Sequence, residues 1–313
     1  MKTLLVGTAL AVAAIAPAQA QTFVNVLTGG TSGVYYPLGN ALATIYAKAI
    51  PNAKTGVQAT KASVENLNLL QQGKGEIGFS LGDAVSQAWK GDAEAGFAQP
   101  LKKLRGIAGI YPNYIQIVAS ASSGIKTVDD LKGKRISVGA PKSGTELNAR
   151  AVLAAAGLSY KDFSKVEYLA FGESVDLMKN RQLDLTLQSA GLGVSSIRDL
   201  ASSIDITVVA VSPETVKKVN DPAYVSMPIP KGTYKGQDAD VPTVAINNYL
   251  ITHEGVSDDV AYAMTKSLFE NLDVMTASHA AAKDIKFEKA LDGMPVPLHP
   301  GAEKYYREKG LIK

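Results

Sequence analysis

Phe23-Val-Asn-Val-Leu-Thr28, Gly29-Gly-Thr-Ser-Gly-Val34 and Tyr35-Tyr-Pro-Leu-Gly-Asn-Ala-Leu-Ala-Thr-Ile-Tyr-Ala-Lys-Ala49 follow one another without a gap and decide the fold class. The first piece is apolar and β-branched and runs into glycines, the mark of a strand ending in a turn. In the third, Leu38, Ala41, Leu42, Ile45, Tyr46 and Ala49 return at helical spacing. Pro37 falls in the first turn, where its missing N–H costs nothing. A strand, a glycine turn and an amphipathic helix in this order form half of a βαβ unit, so a mainly parallel sheet is expected.

The unit recurs downstream. A strand over 136–139 enters the loop Ala140-Pro-Lys-Ser-Gly-Thr145, and a helix follows from Glu146 with Leu147, Ala151, Ala154 and Ala155 on one stripe and Gly157 as its stop. Further strands are expected over 56–59, 77–80, 105–110, 166–170, 183–188 and 206–210. Two such units imply an α/β protein of two similar lobes. The apolar runs 114–119 and 244–251 are suited to carry the chain from lobe to lobe, and the Pro- and Gly-rich stretch 213–242 reads as surface loop with few regular elements. Beyond it a helix is expected with Ser257 as cap, Asp258 and Asp259 in the first turn and Val260, Met264 and Leu268 on one face.

Residues 1–20 read as a signal peptide: Lys2, an apolar stretch over 4–15, and Ala18-Gln-Ala20 as the cleavage site. The stretch is too short to span a bilayer. The chain has 313 residues, a net charge of +3 and no cysteine. Thiolate metal sites, cysteine nucleophiles and disulfides are therefore excluded, and dispersed Lys and Arg give no basic stripe for nucleic acid.

Chemistry is sparse. Gly30, Thr31, Ser32 and Gly33 place free N–H groups and hydroxyls at a helix mouth, which favours an anion, although glycines there also serve a tight turn. Their spacing is not the dinucleotide fingerprint. Ser143, Gly144, Thr145 and Glu146 offer a second such mouth; Thr145 stands where a phosphate loop carries lysine, and Ser143 with Glu146 also fits a capping box. Tyr35, Tyr36, Tyr111 and Tyr114 are suited either to wall a cleft or to fill a core, and Lys142 and Arg150 either to balance an acidic ligand or to stay solvated. His253, His279 and His299 show no metal spacing, and no nucleophile elbow is present. No cofactor is expected, and a non-enzyme is favoured.

The stretches Thr28-Gly-Gly-Thr-Ser-Gly-Val-Tyr-Tyr-Pro37, Gly78-Phe-Ser-Leu-Gly-Asp83, Asp130-Leu-Lys-Gly-Lys-Arg135, Ser143-Gly-Thr-Glu-Leu-Asn-Ala-Arg150 and Leu268-Phe-Glu-Asn-Leu272 resemble, in order, the TAXI-type receptors of tripartite ATP-independent periplasmic (TRAP) transporters. The resemblance implies a type II-like periplasmic binding protein, with one lobe over 21–112 and 248–313, the other over 113–247, and a ligand held between them. It implies a ligand wall of Gly30 to Gly33, Tyr36, Asn66, Leu81, Asp83 and Tyr111, opposed by Ser143 to Glu146, Gln188, Ser189 and Gly191. Leu81 departs from the family, where glutamine is common. The function implied is capture of glutamate or a C4–C5 dicarboxylate such as 2-oxoglutarate in the periplasm, as a monomer, by hinge closure and delivery to a membrane permease. A sensor presenting its closed form to a membrane kinase, and an enzyme on the same bilobal fold, stand as alternatives.

Overall fold

The computed structural model describes residues 21–313, so the expected signal peptide lies outside the described residues. Alternation shapes the first strand, β1 (Thr22–Leu27): Val24 and Val26 are buried while Phe23 stays exposed. Helix α1 (Tyr35–Ala49) then packs back with Leu38, Ala41, Leu42, Ile45 and Tyr46 of the expected stripe inward, while Ala49 at its end stays exposed. The chain continues through β2 (Ala53–Gln58), α2 (Ser63–Gln71), β3 (Ile77–Leu81) and α3 (Gly82–Lys90), with β1 parallel to both β2 and β3.

The second βα series comprises β5 (Arg135–Ser137), α4 (Gly144–Ala155), β6 (Lys165–Glu167), α5 (Phe171–Lys179), β7 (Leu185–Ala190), α6 (Ser195–Ser203) and β8 (Ile206–Val209). Here β5 lies parallel to β6 and β7. Two long strands join the series. β4 (Leu104–Ser120) is antiparallel first to β10 (Val241–His253) and then, from Tyr114 onward, to β7 and β8. β10 pairs with β9 (Val225–Ile229) through Ala245, then with β4 and β3. The sheet order is β2-β1-β3-β10-β4-β7-β5-β6. This is the mixed α/β architecture of a two-lobed protein with crossing strands. Helices α8 (Asp258–Glu270), α9 (Leu272–Ser278) and α10 (Pro300–Glu308) close the chain; α10 packs on α8, and α8 and α9 pack on α1.

Two expectations need correction. The runs 105–110 and 114–119 are one strand: Pro112 faces Asn247 beside a register shift in the ladder, where its missing N–H is tolerated. The stretch 213–242 is not merely loop, since it forms α7 (Pro213–Val219), capped by the Ser212 hydroxyl, and strand β9. Of its prolines, Pro213 sits in the first turn of α7 and Pro228 opposite Pro242 where β9 edges the sheet, both harmless places.

Candidate functional site

A cavity of about 260 Å³ lies between the two βα series. Four helices start at its wall: α1 at Val34 and Tyr35, α2 at Ala62 and Ser63, α4 at Ser143 and Gly144, and α5 at Ala170 and Phe171. The first N–H groups of any helix lack intrahelical partners and carry the positive end of its dipole. No side chain caps α1; before α2 the Thr60 hydroxyl accepts the Ala62 N–H at 2.9 Å and the Glu65 carboxylate accepts the Lys61 N–H at 2.6 Å. In α4 the Ser143 hydroxyl accepts the Glu146 N–H at 3.1 Å, and before α5 the Glu173 carboxylate accepts the Ala170 N–H at 3.2 Å. The remaining first-turn donors of all four helices belong to a wall with no buried cation; its charged side chains, Lys61 and Glu173, are both exposed.

Backbone strain marks the same place. Ala62, at the start of α2, holds φ 71° and ψ −148°, a region that is essentially glycine's own. Its neighbour Ser63 is fixed by the Leu81 N–H, which donates to the Ser63 hydroxyl at 3.2 Å. Tyr35 forms the floor, its ring stacked on Phe79 at 4.9 Å and its hydroxyl donating to the Asn248 amide oxygen. Burial pushes the Tyr35 phenol far above its ordinary range, so it stays a neutral donor. Asn113 donates from Nδ2 to the Ser189 carbonyl at 3.0 Å, and its Oδ1 is buried without a partner.

The lobes meet around the cavity. Gly144 lies so close to the opposite wall that a Cβ there would stand 2.6 Å from both Leu81 Cδ1 and Ser63 Oγ. The Ser195 hydroxyl donates to the Ser32 carbonyl at 2.9 Å, and Arg150 reaches the Glu94 carbonyl at 3.1 Å. The conformation is closed.

Of the residues singled out from the sequence, Gly30, Gly33, Leu81, Ser143, Gly144, Thr145 and Ser189 line the cavity. Tyr35 lines it as well, while Thr31 and Ser32 belong to the same loop as Gly30 but lie outside the wall, as do the others singled out. Tyr36 points to the outer side of α1 beside Asn40 and Thr44, one helix position away from Tyr35. Asn66 is structural: its Nδ2 donates to the Thr28 carbonyl at 2.7 Å and the Phe79 carbonyl at 2.9 Å, tying α2 to two strand ends. Glu146 is held by Arg150 at 2.7 Å and by the Tyr160 hydroxyl at 3.0 Å, which occupies the proposed counter-ion as well. Gln188 accepts from the Ser196 hydroxyl, while Tyr111 packs against Gly191 in the core. Asp83 sits behind the wall, bonded to Asn148 and Tyr224. Lys142, with φ 60°, takes a left-handed turn position outside the wall.

The sequence reading did not anticipate Asn113, Tyr168, Ala170, Phe171 and Glu173 as wall residues. Asn113 was hidden behind Pro112. The start of α5 left one trace, the glutamate three residues after Ala170 whose carboxylate caps it. Among the described residues there is no group of three or more metal-ligating side chains, and no helix long and apolar enough to cross a membrane.

The sequence profile of the NMT1-like family matches residues 26–310. The chain belongs to the NMT1-like family. Solved structures similar to this NMT1-like chain include the alkanesulfonate-binding protein SsuA from Xanthomonas axonopodis pv. citri bound to MOPS, with 16% identity over 95% of this chain and 96% of that one and a TM-score of 0.53. PhnD1 from Prochlorococcus marinus in complex with methylphosphonate shares 12% identity over 93% and 99% of the two chains, with a TM-score of 0.59. The periplasmic binding protein BugD shares 12% identity over 94% and 95%, also with a TM-score of 0.59. The NMT1-like chain thus has the bilobal fold of periplasmic binding proteins.

Proposed function

We propose that this protein is a periplasmic solute receptor for a small organic anion, closing its lobes over the ligand and delivering it to a membrane transporter. The observation that carries the reading is the convergence of four helix N-termini, two from each βα series, on one closed cavity with no buried cation in its wall. Such a wall stabilises negative charge through backbone N–H groups and dipoles, each helix contributing about 0.3–2 kcal/mol. At about 260 Å³ the cavity suits a ligand at the small end of the usual range. Nothing in the wall assembles a nucleophile, base and acid, which favours binding over turnover.

Lobes over 21–112 with 248–313 and over 113–247, joined where β4 and β10 cross, are part of this reading. Within the NMT1-like family we assign the chain to the TAXI-type receptors of TRAP transporters, on the Gly29 to Gly33 and Ser143 to Arg150 motifs, with a TRAP permease as partner, the monomer as working form and 1–20 as export signal. Glutamate and C4–C5 dicarboxylates such as 2-oxoglutarate are the favoured ligands. Sulfonates and phosphonates form the second class, because two proteins of this fold are described with MOPS and methylphosphonate.

Native mass spectrometry of the purified protein, with thermal-shift screening of L-glutamate, 2-oxoglutarate, succinate, methylphosphonate and ethanesulfonate, tests the reading. A carboxylate binding at about micromolar strength, ~8 kcal/mol, is expected. Stabilisation by neutral or cationic compounds alone would sink the anion reading.

A further inference from the structure

We propose that Asp83 is a closure latch: a residue that sets ligand affinity by holding the two lobes together, without touching the ligand. The proposal rests on the receptor reading above and adds a control that no cavity residue supplies. Asp83 stands at the start of α3, beside β3 in the first βα series. Its partners come from the other. Tyr224, just before β9, donates its hydroxyl to Asp83 Oδ2 at 2.8 Å, and Asn148 on α4 donates Nδ2 to the same oxygen at 2.6 Å. Asn148 also donates to the Tyr224 hydroxyl at 2.9 Å, so the three groups form a closed triangle.

The triangle reaches the cavity at one point. Ser189, in the cavity wall, donates its hydroxyl to Asn148 Oδ1 at 2.7 Å. The amide that grips Asp83 is thus oriented by a residue of the site. Asp83 itself is screened from the cavity, 1% exposed, with Oδ1 lacking any partner.

Two features distinguish a latch from an ordinary core network. First, acceptor and donors sit on different lobes, so opening breaks every bond between them at once, and each separated group then finds water. Second, the carboxylate is poorly compensated when shut in. The ionisable groups acting on it are Tyr224 and Asp221 across the cleft and Tyr35 on its own side, none of them cationic. Burial, with Asp221 adding to it, raises the Asp83 carboxyl to about 6 against the bonds from Tyr224, Ala84 and Asn148. In the open form Asp83 returns to water and to the ordinary carboxylate range near 3.9.

The sign follows from that difference. A carboxyl raised in the closed form favours closure below its open-state value, and this contribution is lost as pH rises through about 6. The ratio of closed to open molecules, and with it ligand affinity, is expected to be roughly tenfold higher at about pH 5 than at about pH 8.

Because the chain has no cysteine, dyes can be confined to Lys48→Cys and Lys161→Cys, exposed positions on the two lobes. Single-molecule energy transfer between them, without any ligand, reads the closed fraction as pH is varied. The closed-to-open ratio should rise about tenfold between ~pH 8 and ~pH 5. Asp83→Asn keeps an acceptor without a titrating proton and should give a flat profile, a response that loss of general stability does not mimic. Tyr224→Phe removes one donor and should lower the ratio at every pH, with circular dichroism verifying its fold. No closed molecules at the acidic end, a flat parent profile, an Asp83→Asn profile like the parent's, or an unchanged ratio in Tyr224→Phe would each overturn the latch. If the expected profiles appear while every compound of the thermal-shift panel is silent, the anion-receptor reading fails and the latch stands.

Discussion

Gly144→Ala adds one methyl group at the seam between the lobes, and its effect can be worked out from the contacts there. The new Cβ would stand 2.6 Å from Leu81 Cδ1 and from Ser63 Oγ, and 3.0 Å from Ser63 Cβ. The leucine terminus can rotate away. The serine cannot, because its hydroxyl accepts the Leu81 N–H and its backbone begins α2. The lobes must therefore stop short of full closure or pay an overpacking cost of about 1–3 kcal/mol. Only the closed form bears that cost. In the open form the methyl faces water in the first turn of a helix, where alanine is at least as good as glycine. Affinity should fall about 5- to 150-fold, at ~1.4 kcal/mol per decade, while the ligand-free melting temperature stays level or rises. Calorimetric titration with the tightest-binding compound of the panel, beside a ligand-free melt, reads both quantities. Gly172→Ala is the control: it also lies at the mouth of the cleft, but its Cβ would meet Ser32 Oγ at 3.4 Å, an ordinary contact. Affinity within twofold of the parent for Gly144→Ala, or an equal loss for Gly172→Ala, would refute the reasoning.

Three further variants probe the frame. Ala62→Gly relieves a conformation costing about 1–3 kcal/mol at the price of a more flexible unfolded chain, and should raise the ligand-free melting temperature by a few degrees; a fall would mean the turn is unstrained. Ser63→Ala strands the buried Leu81 N–H and should destabilise the protein by about 1–3 kcal/mol in denaturant titration, whereas an unchanged midpoint would show that another acceptor takes over. Arg135 grips Asp184 with two nitrogens, at 2.6 and 3.1 Å, and holds its carboxyl below the usual range. That contribution is present above the ordinary carboxylate pKa and lost as pH falls through the depressed value. Asp184→Asn should accordingly melt lower than the parent at neutral pH, with the gap closing in strong acid; a gap independent of pH would trace the loss to packing.

The βα units were legible because their signals are local. The stripe Leu38 to Ala49, the Ser143 and Ser257 caps and the stop at Gly157 all depend on residues within a turn or two of one another, and the structure places each of these elements close to its expected bounds. What spans the lobes was legible only in part: the runs 114–119 and 244–251 lie within the crossing strands β4 and β10, but the full length of β4 was not seen. The runs 105–110 and 114–119 were read separately, yet β4 runs through Pro112 between them, because the partner ladder shifts register there and asks for no N–H. At the site, the glycine loops signalled two helix mouths, whereas the mouth at Ala170 is preceded by no glycine, serine or threonine, only by Tyr168-Leu169, and so left no comparable signal. Tyr36 against Tyr35 is a phase error: both follow the same loop, and only the packing of α1 on Phe79 decides which ring turns toward the cavity. Asp83 was marked by its motif as a ligand residue, while its partners Asn148 and Tyr224 lie 65 and 141 residues away, beyond the reach of any spacing rule.

The place of β10 in the sheet order has a kinetic consequence. It lies between β3 and β4, yet its residues, Val241–His253, come long after both in the chain. Until they are available, the edge of β3 has no neighbour on that side and the first half of β4 no bridge to it, so neither half of the sheet can complete its core. A nascent chain built in this order stays open along its middle until most of it has been made. Such lateness is written into topology rather than into any single residue.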